Sequence, residues 1–133
     1  MPAKILIVED EMLVAIELEA ILADLGHEPV GIASELADAV EMVDQPLDLA
    51  LVDLNLRDGL TGPEIGKMLC ARGVTVLFIT ANPRQLGDGV AGTIGVLTKP
   101  TDEATVRSAV NYALGVRNGD RSVSPPVSLK IFA

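Results

Sequence analysis

"KILIVEDE", residues 4–11, sets four apolar residues in a row and then stops at three acids. A half-buried strand alternates apolar and polar residues, whereas a short unbroken run containing β-branched residues marks a strand covered on both faces. Lys4 to Val8 read as such a strand, and Glu9, Asp10 and Glu11 then stand at the rim of the core it enters. Working outward, Val14, Leu18, Ile21, Leu22 and Leu25 recur at helical spacing over 12–25, and Gly26 supplies a stop. Glu11 is expected in the first turn of that helix, where it complements the helix dipole. "PVGIAS" (29–34) reads as a second strand and 35–43 as a second helix that ends before Pro46. "LDLALVDL" (47–54) is a third apolar strand carrying Asp53. The glycine-rich loop "NLRDGLTGP" leads from it into a third helix, with Pro63 in the first turn. That helix reaches Arg72 and closes at Gly73.

"VTVLFIT" (74–80) is a fourth strand, and "TIGVLT" (93–98) a fifth. Between them "ANPRQLGDGVAG" holds three glycines and a proline, which predicts a short or poorly ordered helix. The last helix, 102–116, repeats Val106, Ala109, Val110, Ala113 and Leu114 at i, i+3, i+4, i+7 and i+8. Five alternations of strand and helix make each helix a crossover, so successive strands run parallel. The fold class is a doubly wound α/β sheet with helices on both faces. Its ligand crevice lies at the carboxyl ends of the strands.

Composition narrows the function. The chain has 133 residues, 2% aromatics and no Trp, which suits one domain with an aliphatic core and needs no staples. A formal net charge of −9 opposes nucleic acid and anionic membrane surfaces. Cys70 is alone, so no intrachain disulfide forms, and it reads as a structural thiol. His27, the only histidine, removes multi-histidine metal sites and reads as a surface or capping residue. No segment suits a signal sequence and no run approaches membrane-spanning length, so a cytoplasmic location is expected.

The carboxyl edge collects Glu9 and Asp10 after the first strand, Asp53 after the third, Thr80 after the fourth and Lys99 after the fifth. Carboxylates brought that close repel, and a cation or a proton must relieve them. Hard oxygen ligands suit Mg²⁺ rather than Zn²⁺, and a partly hydrated Mg²⁺ completes its shell with phosphate. Asp53 is then the candidate nucleophile for an aspartyl-phosphate. Glu9, Asp10, Asp53 and the backbone carbonyl of Asn55 are the candidate metal ligands. Lys99 is a point charge for one phosphoryl oxygen, and Thr80 a hydroxyl donor for another.

With "VEDE", "LVDLNL", "FIT" and "LTKP" in this order, residues 3 to about 117 resemble the receiver domain of two-component response regulators. The resemblance implies a five-stranded, flavodoxin-like and CheY-like parallel sheet in the order 2-1-3-4-5. It implies that Asp53 accepts phosphate from a sensor histidine kinase or a histidine phosphotransfer protein, and that a downstream protein target reads the result. Chemistry would be limited to gain and loss of the chain's own phosphate, so the protein is not expected to be an enzyme. The resemblance further implies tuning of phosphate loss by Asn55 and Asn82, a phosphoryl contact from the N–H of Ala81, and a bond between Lys99 and Pro100 that is often cis.

Three departures stand out. Receivers of the common kind carry Tyr or Phe where this chain has Val96. "NPRQLGDGVAG" is too rich in glycine for a firm helix and is the expected switch, acting through Thr80. In lacking that aromatic residue, and in "FITANPRQL" followed by "VLTKP", the chain is similar to the receivers of alphaproteobacterial general stress regulators and related single-domain receivers. Finally, 1–118 reads as the receiver and 119–133 as a tail with no output domain. Within that tail Val127, Leu129, Ile131 and Phe132 partly alternate. Its tip is expected to add to a sheet edge or cover a groove, on its own chain or on a neighbour's, the latter making a homodimer.

Other readings are a receiver fold that binds proteins without phosphate, a Toprim-type Mg²⁺ phosphotransfer enzyme and a haloacid-dehalogenase-type phosphatase. A Toprim site would want an acid at Asn55, and the phosphatase would want its nucleophile after the first strand.

Overall fold

The computed structural model describes residues 2–132. Along the chain run β1 (Lys4–Val8), α1 (Met12–Asp24), β2 (Glu28–Ala33), α2 (Leu36–Met42), β3 (Leu49–Val52), α3 (Gly62–Ala71), β4 (Thr75–Thr80), a 3-10 turn (Pro83–Leu86), β5 (Gly95–Thr98), α4 (Glu103–Arg117) and β6 (Lys130–Ile131). The sheet order is β2-β1-β3-β4-β5-β6. The first five strands are parallel, as expected. The expected count of five is corrected to six, because β6 pairs antiparallel with β5, setting Gly95 opposite Ile131 and Val96 opposite Lys130.

Strand periodicity divides the core between the two faces of the sheet. Leu6, Val8, Ala50, Val52, Val76, Phe78 and Val96 face Ala39 of α2 and Ile65 and Leu69 of α3. Ile5, Ile7, Leu49, Leu51, Leu77, Ile79 and Leu97 face Ala15, Leu18 and Leu22 of α1 and Val106, Ala109, Val110 and Ala113 of α4. The apolar runs of β1, β3 and β4 are unbroken because each serves two cores at once.

Between β4 and β5 only the 3-10 turn forms. Gly87, Gly89 and Gly92 all take positive φ, and that backbone cannot continue a helix. Glu11 lies one residue earlier than expected, at the N-cap of α1, and its side chain makes no cap hydrogen bond. At the opposite end of the sheet His27 Nδ1 accepts the Ala3 N–H at 3.0 Å. Asp102 caps α4, its Oδ1 accepting the Thr105 N–H at 2.7 Å.

Candidate functional site

Ladder bonds continue one step beyond the strands, onto the candidate site residues. Glu9 N–H donates to Ala33 O at 2.8 Å, Asp53 N–H to Val8 O at 2.9 Å and Lys99 N–H to Thr80 O at 2.8 Å. Each backbone is therefore fixed by a strand already locked in the core. Gly62 adds a steric condition. A Cβ there would overlap the Asp53 carbonyl oxygen and Leu54 Cα, so only glycine lets α3 start this close to Asp53.

The side chains converge. Lys99 Nζ donates to Glu9 Oε1 at 2.5 Å and to Asp53 Oδ2 at 2.8 Å. Glu9 is 2% exposed and Asp53 7%, so this bridge sits in a largely dry crevice. The other oxygen of each acid is held by backbone: Asp53 Oδ1 accepts the Leu54 N–H at 2.7 Å, and Glu9 Oε2 the Glu11 N–H at 3.1 Å. Leu54 and Glu11 thus position the site through their amides, which no side-chain pattern reveals.

Burial pushes the Glu9 carboxyl above its ordinary range, against the bonds from Lys99 and the Glu11 amide. Burial also works against the charge of Lys99. Its hydrogen bonds to Asp53 and Glu9, with the two negative charges, outweigh that and raise its pKa.

Asp10 completes an acidic group with Glu9 and Asp53, one oxygen from each lying within 4.8 Å of the others. The donor set fits Mg²⁺. It is all hard oxygen, and its three carboxylates against one ammonium leave negative charge for a divalent cation to offset.

Thr80 is buried beside this group, and its Oγ1 accepts the Asn82 N–H at 3.1 Å. Asn55 is half-buried and donates through Nδ2 to Gln85 Oε1 at 2.9 Å, a partner that sequence reasoning missed. Ala81 and Asn82 are exposed at the mouth, and the Lys99–Pro100 peptide is cis. Val96 is buried in the core beside Phe78 and Lys130, its ladder neighbours.

The chain matches known proteins. The model of the response regulator receiver domain matches residues 5–111. The chain is 36% identical over 118 residues to the phyllosphere-induced regulator PhyR of Methylorubrum extorquens, covering 86% of this chain and 44% of that protein. It is 29% identical over 119 residues to the transcriptional regulatory protein PdtaR of Mycobacterium tuberculosis, covering 85% and 57%. It therefore spans about half the length of the curated relatives it matches.

Among solved structures, the receiver domain of the Erythrobacter litoralis PhyR response regulator superposes with a TM-score of 0.79 at 34% identity, covering 95% of this chain and 96% of that one. SdrG from Sphingomonas melonis gives a TM-score of 0.69, also at 34% identity, covering 85% and 96%. On the family match, the likeness to PhyR-type receivers and the sheet order, this chain belongs to the response regulator receiver domain family.

Proposed function

We propose that the chain is a phosphorelay receiver that takes a phosphoryl group on Asp53 and passes the signal on through protein contacts. The observation that carries this reading is the bridge of Lys99 between Glu9 and Asp53, with Asp10 beside it. In the reaction an oxygen of the Asp53 carboxylate attacks phosphorus. The bond from phosphorus to the donor nitrogen of a phosphohistidine breaks, and its electron pair leaves on the imidazole. The Leu54 amide already orients the carboxylate. Lys99, anchored by Glu9, moves its charge onto a phosphoryl oxygen, and the Thr80 hydroxyl and the Ala81 N–H serve the others. Glu9, Asp10, Asp53 and the Asn55 carbonyl would hold Mg²⁺, which when bound offsets the charge that builds on the transferring group. Asn55 and Asn82 flank the route of water to the acyl phosphate and set its lifetime.

A donor has a surface to dock on. Met12, Leu13 and Ile16 expose apolar area on α1, with Leu13 at 80%. On the same helix Val14, Glu17 and Leu18 line a groove with Ile79, Ala81, Lys99, Pro100 and Thr101. That arrangement suits a helix of a sensor histidine kinase or a histidine phosphotransfer protein. On this reading the protein works in the cytoplasm and acts on no substrate but its own phosphate. None of its described helices is long and apolar enough to cross a membrane.

The test is incubation with acetyl phosphate and Mg²⁺, followed by intact-mass measurement. One base-labile phosphoryl group should appear, and Asp53→Asn should abolish it. An unmodified wild-type chain would instead favour a phosphate-independent binding module.

A further inference from the structure

Residues 82–92 are held at their start and at their middle by different parts of the molecule. At the start, the Asn82 N–H sits on Thr80 Oγ1 and Gln85 accepts from Asn55, so both anchors belong to the Asp53 site. From Gly87 on, the partners come from beyond α4. Lys130 Nζ reaches the Gly87 carbonyl at 3.5 Å, and the Phe132 N–H donates to Ile94 O at 3.0 Å. The Phe132 ring packs where a Cβ on Gly89 would lie 2.6 Å from its Cγ. A Cβ on Gly95 would overlap the Lys130 carbonyl oxygen. Two glycines thus make the bed on which β6 lies. Leu129 is buried against one core and Phe132 packs against the other, so the segment wraps the sheet edge.

We propose that residues 119–132 form a strap whose docking on the edge of β5 is coupled to the state of the Asp53 site, with residues 82–92 carrying the coupling. Between its anchors that stretch has a single 3-10 turn and three glycines at positive φ, and only Leu86 and Val90 of it are buried in the core. A Thr80 hydroxyl that turns toward a phosphoryl oxygen leaves the Asn82 N–H, and the first anchor is lost. A strand with only two ladder pairs is marginal, and β6 loses its platform when Gly87 and Gly89 move. Linkage makes the effect reciprocal: undocking the strap eases the same rearrangement at Thr80. The ligand arm of the test rests on the Asp53 reading; the coupling itself does not.

The experiment is amide hydrogen exchange on the full chain, read at Phe132 and across 128–132. Beryllofluoride with Mg²⁺ should lower protection there by about tenfold. Without any ligand, Thr80→Val, which deletes the Asn82 acceptor, should lower it in the same direction, and Asn55→Ala supplies a second cut should Thr80→Val not fold. Phe132→Asp, outside the phosphoryl machinery, should tighten beryllofluoride binding. Unchanged strap protection in the anchor variants overturns the coupling. So does unchanged protection in wild type with beryllofluoride demonstrably bound at Leu54 and Ala81. If beryllofluoride fails to bind while the anchor variants loosen the strap, the Asp53 reading fails and the coupling stands.

Discussion

Two neighbouring regions of this molecule are built by opposite rules. At the ends of β1, β3 and β5, Glu9, Asp53 and Lys99 have their amides tied into the parallel ladder and their side chains tied to one another. A few residues away, 82–92 has one 3-10 turn, three glycines at positive φ, two buried apolar residues, Leu86 and Val90, and borrowed anchors at Asn82 and Gly87. The first region stores unfavourable electrostatics, and only a stiff frame can hold acids together in a dry crevice. The second carries no such charge cluster and lies outside the parallel ladder. The candidate site lies where the ladder continues past the strand, and the glycine-rich stretch where it does not.

The largest expected effect breaks the stiff side directly. Gly62→Ala sets a methyl group against the Asp53 carbonyl oxygen and Leu54 Cα, both backbone, and should cost about 3 kcal/mol in urea unfolding. A cost near zero would mean that the strand end is not rigid. Lys99→Met should come next, at about 2 kcal/mol near neutral pH, because Glu9 and Asp53 are left buried without their cation. That loss should shrink in acid. The carboxyl of Glu9 is already raised above its ordinary 4.5, and a raised carboxyl contributes stability that is fully present below that value and is lost as pH rises through the folded value. Urea midpoints for variant and wild type should converge as pH falls.

His27 provides a smaller contrast at the other end of the sheet. Burial holds its pKa below the ordinary 6.5, and its Nδ1 must be unprotonated to accept the Ala3 N–H. Its stability contribution is therefore present above 6.5 and lost as pH falls through the lower folded value. Wild type should lose about 1 kcal/mol that His27→Asn does not lose over the same titration. The smallest effect belongs to the loose side. Asn55→Ala removes an exposed bond to Gln85 and should change stability by no more than about 0.5 kcal/mol, while altering the lifetime of the acyl phosphate followed by mass.

Much of the site was legible because strand ends are legible. An apolar run that stops at an acid, a threonine or a lysine places that residue at one sheet edge once the strands are parallel, and Glu9, Asp10, Asp53, Thr80 and Lys99 all lie there. Glycine content marked 82–92 correctly as a stretch without a firm helix. The Leu54 and Glu11 amides were not legible, since every residue but proline carries an N–H and only the fold decides which one meets a carboxylate. Gln85 was missed because nothing in a polar loop residue names its partner. The need for Gly62 depends on where α3 approaches β3.

What the amino-acid order determined alone is the alternation of strands and helices, the parallel sense of the first five strands and the residue types at their carboxyl ends. These follow from periodicity and from the crossover rule, which act over short stretches. Tertiary structure decided that Lys99 rests between Glu9 and Asp53, that Asn82 leans on Thr80, and that residues 130–131 close the sheet edge as a sixth, antiparallel strand. Each of these joins residues far apart in the chain or sets a side chain's direction, and it is settled by which of several partners packing brings within reach.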